Sequence, residues 1–175
     1  MMSKFVLGGA SALLLISSSA VSQTATGPTD AQIAHIAYTA GQLDLEAGKQ
    51  ALVISSNTAV RSFAQTMVRD HAAVNDQALT LVKKLGVTPQ ANATSEALTK
   101  QAKNKARELS KLSGSAFDRA YVQNEIAFHR TVNGALSTTL IPAADNAELK
   151  SLLETGLTLF QEHQKHAEHL KKNLR

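Results

Sequence analysis

The sequence predicts an all-α fold, an antiparallel four-helix bundle with a long crossover that carries a short extra helix. Apolar residues recur at alternating spacings of three and four through four long stretches, which places them on one face of a helix. Hydrophobic residues make up 43% of the chain and aromatics only 4%, so Ala, Leu and Val must supply the core, a balance that favours helices over a sheet sandwich. At 175 residues the chain is long enough for one domain with a real core and too short for two ordinary ones.

Ahead of the bundle, residues 1–22 read as a secretory signal peptide. Lys4 precedes an apolar run from Phe5 to Ile16, and Ala20, Val21 and Ser22 offer a small-residue cleavage site. The run is shorter than the roughly 20 residues a membrane span needs, and no second run of spanning length follows. Export to the periplasm is therefore expected, with residues 23–28 as a short linker, residues 29–175 as the bundle domain and no integral membrane segment after cleavage. The chain has no Cys, which removes disulfides, thiolate ligands and a lipid anchor. Chemistry must come from His, carboxylates and hydroxyls. The net charge of +4 is modest and aromatic stacking residues are scarce, so nucleic acid is not an expected partner.

The first helix starts at Thr29, a good N-cap, with Asp30 at the positive helix end, and runs to Ser55. Its stripe is Ile33, Ala37, Ala40, Asp44, Ala47, Ala51 and Ile54. The run SSNT breaks it, Asn57 or Thr58 caps a second helix, and Gly86 stops that helix after Leu85. Val60, Ala64, Met67, His71, Val74, Ala78, Leu81 and Leu85 keep the same alternation, and the short connection makes the two helices an antiparallel pair. After the loop GVTPQANAT, Ser95–Leu112 reads as a more polar helix suited to crossing the bundle surface. Ser113–Ser115 opens a third long helix with Asp118, Tyr121, Val122, Glu125, His129, Val132 and Leu136 inward. A loop is expected around Ile141 and Pro142, then a fourth helix capped by Asp145 with Glu148 completing an acidic capping box. Leu149, Leu152, Gly156, Leu159, His163, His166 and Leu170 mark its inner face. A helix of about 28 residues is roughly 42 Å long, a distance the connector helix and its loops can return over. The second and third long helices can then run parallel, as in ferritin-like folds.

Every long helix carries ionisable residues at or beside its core phase. Buried charges need partners, since an unpaired one costs several kcal/mol. Asp44 lies 12 residues before Ser56 and His71 lies 15 after it, so the antiparallel pair sets both near one layer. With Ile141 as the second turn, Glu125 is 16 residues before it and His163 is 22 after, a closer match than His129 gives. Imidazoles and carboxylates on facing helices are what a metal site in a bundle uses, and this donor set suits Zn, Cu, Ni or Fe. Asp44, Asp70, His71, Glu125, His129 and His163 are the expected ligands or the groups that orient them. Glu125 with His129, and Glu162 with His166, form i, i+4 pairs. The E-x-x-H motif of di-iron carboxylate bundles does not occur, and no G-x-S-x-G elbow is present, so a binding role is favoured over catalysis. Tyr121 is expected in the core, its hydroxyl bonded to one of the carboxylates. The rival reading is an interaction module that docks another envelope protein through Ser95–Leu112 or Gln164–Arg175, its internal His and acid network being structural or pH-sensing.

The blocks GQLDLEAGKQA (41–51), VRSFAQTMVRDH (60–71), FDRAYVQNEIAFHR (117–130) and TLIPAADNAELKSLL (139–153), with the His163 region, resemble a bacterial family of exported proteins of unknown function. Its members are regarded as ferritin-like and often labelled outer-membrane proteins. The resemblance implies a ferritin-like bundle and matches the family pattern at Asp70, His71, Tyr121, His129 and His163, while Glu is usual where this chain has Asp44. The function expected of the chain is a role in envelope stress or metal handling. An all-helical chain cannot be a closed barrel, so the outer-membrane label implies peripheral association at most.

Overall fold

A computed structural model describes residues 27–174, and the expected signal segment lies outside them. Among the described residues the structure is helical throughout: α1 (Asp30–Ile54), α2 (Thr58–Leu85), α3 (Ala93–Leu109), α4 (Gly114–Ala135), a π-helical segment (Leu136–Leu140), the single turn α5 (Ile141–Ala143) and α6 (Ala147–Asn173). The four long helices form the bundle, and α3 is the extra helix on the crossover.

The caps fix the helix ends. Thr29 and Gln32 form a capping box on α1, and the Asn57 side chain accepts from the backbone N–H groups of Ala59 and Val60. Gly86 ends α2 in the left-handed region at φ 64°, where a side chain would be strained. The three-residue turn between α1 and α2 is held by Arg61, whose guanidinium donates to the carbonyls of Leu52 and Ser55. The Ser55 hydroxyl donates to Asp118, which brings the start of α4 to this same turn.

Cross-links set the directions. Gln90 N–H bonds to the Ala31 carbonyl and Gln50 Nε2 to the Ala106 carbonyl, so α3 runs alongside α1 from its start to its end. Asn133 reaches Gln164 and Lys171 reaches Gln123, so α6 runs antiparallel to α4. The Asp30 carboxylate accepts the backbone N–H groups of Asp145 and Asn146, closing the far end. It follows that α2 and α4 are parallel, the arrangement expected from the long crossover.

Two expectations need correction. The chain stays helical through Ile141 and Pro142, because the wider π turn just before them precedes a residue with no N–H to donate; the turn is Ala144–Asn146. The cap of α6 is Asn146, whose Oδ1 accepts from Glu148 and Leu149, while the Asp145 backbone is tied to Asp30. The inner face of α6 is accordingly Leu149, Leu153, Gly156, Phe160, His163, Ala167 and Leu170, leaving His166 exposed.

Candidate metal centre

The apolar core is cut in two. Ala51, Phe63, Met67, Tyr121 and Leu170 pack near the α1–α2 turn, and Ile33, Leu136, Leu149 and Phe160 pack at the opposite end. Between them lie Asp44 on α1, His71 on α2, Glu125 and His129 on α4, and His163 on α6, none more than 3% exposed.

Two glycines make the layer possible. A Cβ at Gly48 would stand 3.0 Å from Val68 Cγ2 and 3.2 Å from the Ala64 carbonyl, and one at Gly41 would collide with the Asn75 amide. Their absence lets α1 lie close against α2 on either side of Asp44. The shorter acid therefore needs no extra reach, and its Oδ2 stands 2.6 Å from His71 Nε2. The contact is off the ring N–H direction, so neither atom has an aligned hydrogen bond. His129 Nε2 approaches the same Oδ2 at 3.5 Å.

The other rings are oriented from behind. His129 Nδ1 lies 3.0 Å from the Glu125 carbonyl and must donate to it, which leaves Nε2 as the lone-pair nitrogen of the neutral ring. His163 Nε2 donates to Asp70 Oδ2 at 3.0 Å, and Asp70 Oδ1 is itself held by Arg69 at 2.7 Å. That leaves His163 Nδ1 buried with no partner. A carboxylate or carbonyl behind the imidazole, with the opposite nitrogen free, is the arrangement that fixes a metal-binding tautomer. One ligand atom from each of His71, His129 and His163 lies within 4.8 Å of the others, and the same holds for Asp44, Glu125 and His129.

Electrostatics leave the layer unsatisfied. Burial, reinforced by the neighbouring Asp44 carboxylate, pushes the Glu125 carboxyl well above its ordinary range, so at neutral pH it keeps its proton. Burial alone would raise Asp44 too, but its interactions with the neighbouring rings, His71 foremost, more than reverse this and bring it below the ordinary carboxylate range. Burial lowers His129, with Asp44 opposing, and lowers His163 to about 4, with Asp70 opposing and the other two imidazoles adding to the shift. His129 and His163 are thus neutral at pH 7, each with a lone pair to give. Both oxygens of Glu125, both nitrogens of His71 and Nε2 of His129 have no hydrogen-bond partner. Buried polar atoms left this way cost about 1–3 kcal/mol each, and the groups His71, His129 and His163 and Asp44, Glu125 and His129 could hold a metal ion.

The six expected residues thus divide. Asp44, His71, Glu125, His129 and His163 converge, whereas Asp70 is half-buried and stands behind His163. The pairing of Glu125 with His163 is corrected: with the turn at Asp145, His129 lies 16 residues before and His163 18 after, and their ring centroids are 5.4 Å apart. Tyr121 is fully buried and stacks on Phe117, but its hydroxyl has no partner. Glu162 pairs with Lys165 at the surface, and exposed His166 meets the edge of Phe63. Sequence reasoning missed Phe160, which stacks on His71 at 4.7 Å between centroids, and Asn133, which donates to the Phe160 carbonyl and ties α4 to α6 one turn from His129. Asn133 lies four residues beyond His129, a spacing that could have shown it.

The Domain of unknown function (DUF4142) family model matches residues 16–170, nearly the whole chain. The chain belongs to the DUF4142 family. The crystal structure of a DUF305 protein from Streptomyces coelicolor is similar to this DUF4142 chain in fold, with a TM-score of 0.66 over 81% of this chain and 90% of that one at 12% identity. No curated protein matches. Among the described residues no helix is long and apolar enough to cross a membrane.

Proposed function

We propose that this DUF4142 chain is an exported protein that binds a divalent transition metal, in envelope metal handling or stress defence, without catalysis. His71, His129 and His163 supply nitrogen, Asp44 and Glu125 supply oxygen and charge, and Asp70 positions His163. The observation that carries this reading is the set of uncommitted ligand atoms, buried together and oriented by hydrogen bonds on the far side of two rings. Imidazole and carboxylate donors without thiolate suit Zn, Cu, Ni or Fe(II). A groove lined by Leu98 and Ala102 of α3 and by Asn124 and Phe128 of α4 includes Asp44 in its wall and gives an ion a route inward. Binding must displace the Glu125 proton, so affinity rises with pH.

The test is elemental analysis of protein purified without a His-tag, followed by equilibrium dialysis against each ion. At least one equivalent of metal per chain, lost in the His71→Gln/His163→Gln double variant, supports the proposal. No metal on purification and no uptake on dialysis would overturn it. The rival, an envelope interaction module with a self-contained polar core, has one observation in its favour, the 2.6 Å approach of His71 to Asp44. It predicts partner capture that survives the double variant.

A further inference from the structure

The two ligand triads of the polar layer, one of three imidazoles and one of Asp44, Glu125 and His129, have His129 in common. Filling both at once would need two lone pairs from that ring. It has one to give: Nδ1 is committed to the Glu125 carbonyl at 3.0 Å, one turn back along α4, so Nε2 alone is available to an ion. An ion held by the three imidazoles leaves a second with Asp44 and Glu125 only, and an ion held by the carboxylate triad leaves a second with His71 and His163 only. Either remainder is two protein ligands, fewer than the three of an open metal site or the four of a closed one.

Charge leads to the same count. Imidazoles bind a metal as neutral rings and carboxylates bind it as anions, so the layer brings two negative charges to an ion, from Asp44 and Glu125. Asp70 adds none, since its Oδ1 is paired with Arg69 at 2.7 Å. One divalent ion neutralises the layer. Two would leave a double positive charge without compensation among side chains no more than 3% exposed. We infer that, on the metal-binding reading above, the layer holds one divalent ion per chain, with His129 Nε2 as the ligand common to both triads, and is not a paired-metal centre. The chain is thereby a one-ion carrier. Reactions that need two metals clamped roughly 3.5–4 Å apart have no place in it, which separates this bundle from ferritin-like folds that hold two irons between their helices.

Native mass spectrometry of the metal-stripped, untagged chain tests the count, by titration with Zn(II), Cu(II), Ni(II) and Fe(II) in turn. A His166→Gln/His169→Gln background removes two exposed imidazoles of α6 that could pick up ions at the surface. Saturation is expected at one ion per chain, lost in the His71→Gln/His163→Gln variant of the same background. A different ion added to the one-ion form should displace the first and never join it. Two ions per chain that are both lost in that variant, or a mixed form carrying one ion of each kind, would overturn the single-ion count and leave the metal site standing. No uptake of any of the four ions would overturn the metal-binding reading itself, and the count with it.

Discussion

The bundle end near the α1–α2 turn and the layer just beyond it are built from the same four helices by opposite rules. At the turn end Phe63, Met67, Phe117 and Tyr121 are fully buried, with aromatic rings in edge and stacked contact, and each side chain that leaves water contributes roughly 1.5–3 kcal/mol. Less than three helical turns away, five ionisable side chains are equally buried and most of their polar atoms have no partner. One region gains stability by burial, and the other spends it. Local departures from good packing that the rest of the fold sustains are where function is expected.

The largest effect belongs to the apolar end: Phe63→Ala should cost about 3–5 kcal/mol in denaturant unfolding, yet leave the metal affinity of the folded protein unchanged. If affinity fell in proportion, the two regions would not be separable. In the polar layer, acid should destabilise the metal-free protein. The folded pKa of His163 lies at about 4 against 6.5 for a free imidazole, so the unfolded chain binds the extra proton. Stability is therefore lost as pH falls from about 6.5 towards 4, by up to about 3 kcal/mol, and His163→Gln should flatten that part of the profile.

Glu125 carries the opposite sign. Its folded pKa is raised, so the stability it contributes is present in acid and is lost as pH rises from the ordinary value of 4.5 towards neutrality. Glu125→Gln mimics the protonated acid and should stabilise the metal-free protein at pH 7 while weakening metal binding. A variant that is more stable and less able to bind would separate the cost of the layer from its use. A destabilised variant would make Glu125 a structural acid. Smaller still in stability is Asp70→Asn, since Asp70 is half-buried; metal affinity should nonetheless drop about 10–100-fold, because the acceptor that fixes the His163 ring is weakened. Isothermal titration of the ion into both proteins reads this directly.

Most of the fold was legible because its signals are local. Thr29, Asn57 and Gly86 mark helix ends by cap chemistry that needs no tertiary context, and the stripes of α1 and α2 follow from periodicity. The meeting of Asp44 with His71 was legible too, because the hairpin turn at Ser55–Asn57 was placed correctly and depth could be counted from it. The second hairpin shows what such counting depends on. Pro142 signals a break, but the π turn before it keeps the chain helical, and the turn displaced by about four residues moved the expected partner of His163 from His129 to Glu125. Periodicity left a separate choice open on α6, between steps of three and four, and Leu153, Phe160 and Ala167 are buried rather than Leu152, Leu159 and His166. Asn75 escaped because an amide within an amphipathic stripe looks like its polar edge; its burial follows from Gly41 on another helix, a tertiary fact. Whether Asp70 faced the cluster or stood behind His163 depended on the rotation of α2 against α6, which periodicity does not set.

If the polar layer is a ligand site, an ion must stabilise the fold, and thermal unfolding of the metal-stripped chain with and without Zn, Cu, Ni, Fe(II) or Mn reads this. An ion that binds only the folded state at a hundredfold over its Kd adds about 2.7 kcal/mol, a rise in Tm of about 5 °C or more for a chain of this size. That rise is expected with at least one of these ions, and is expected to be lost in the His71→Gln/His163→Gln variant. An unchanged Tm with all five ions, or a rise that survives the double variant, would contradict it.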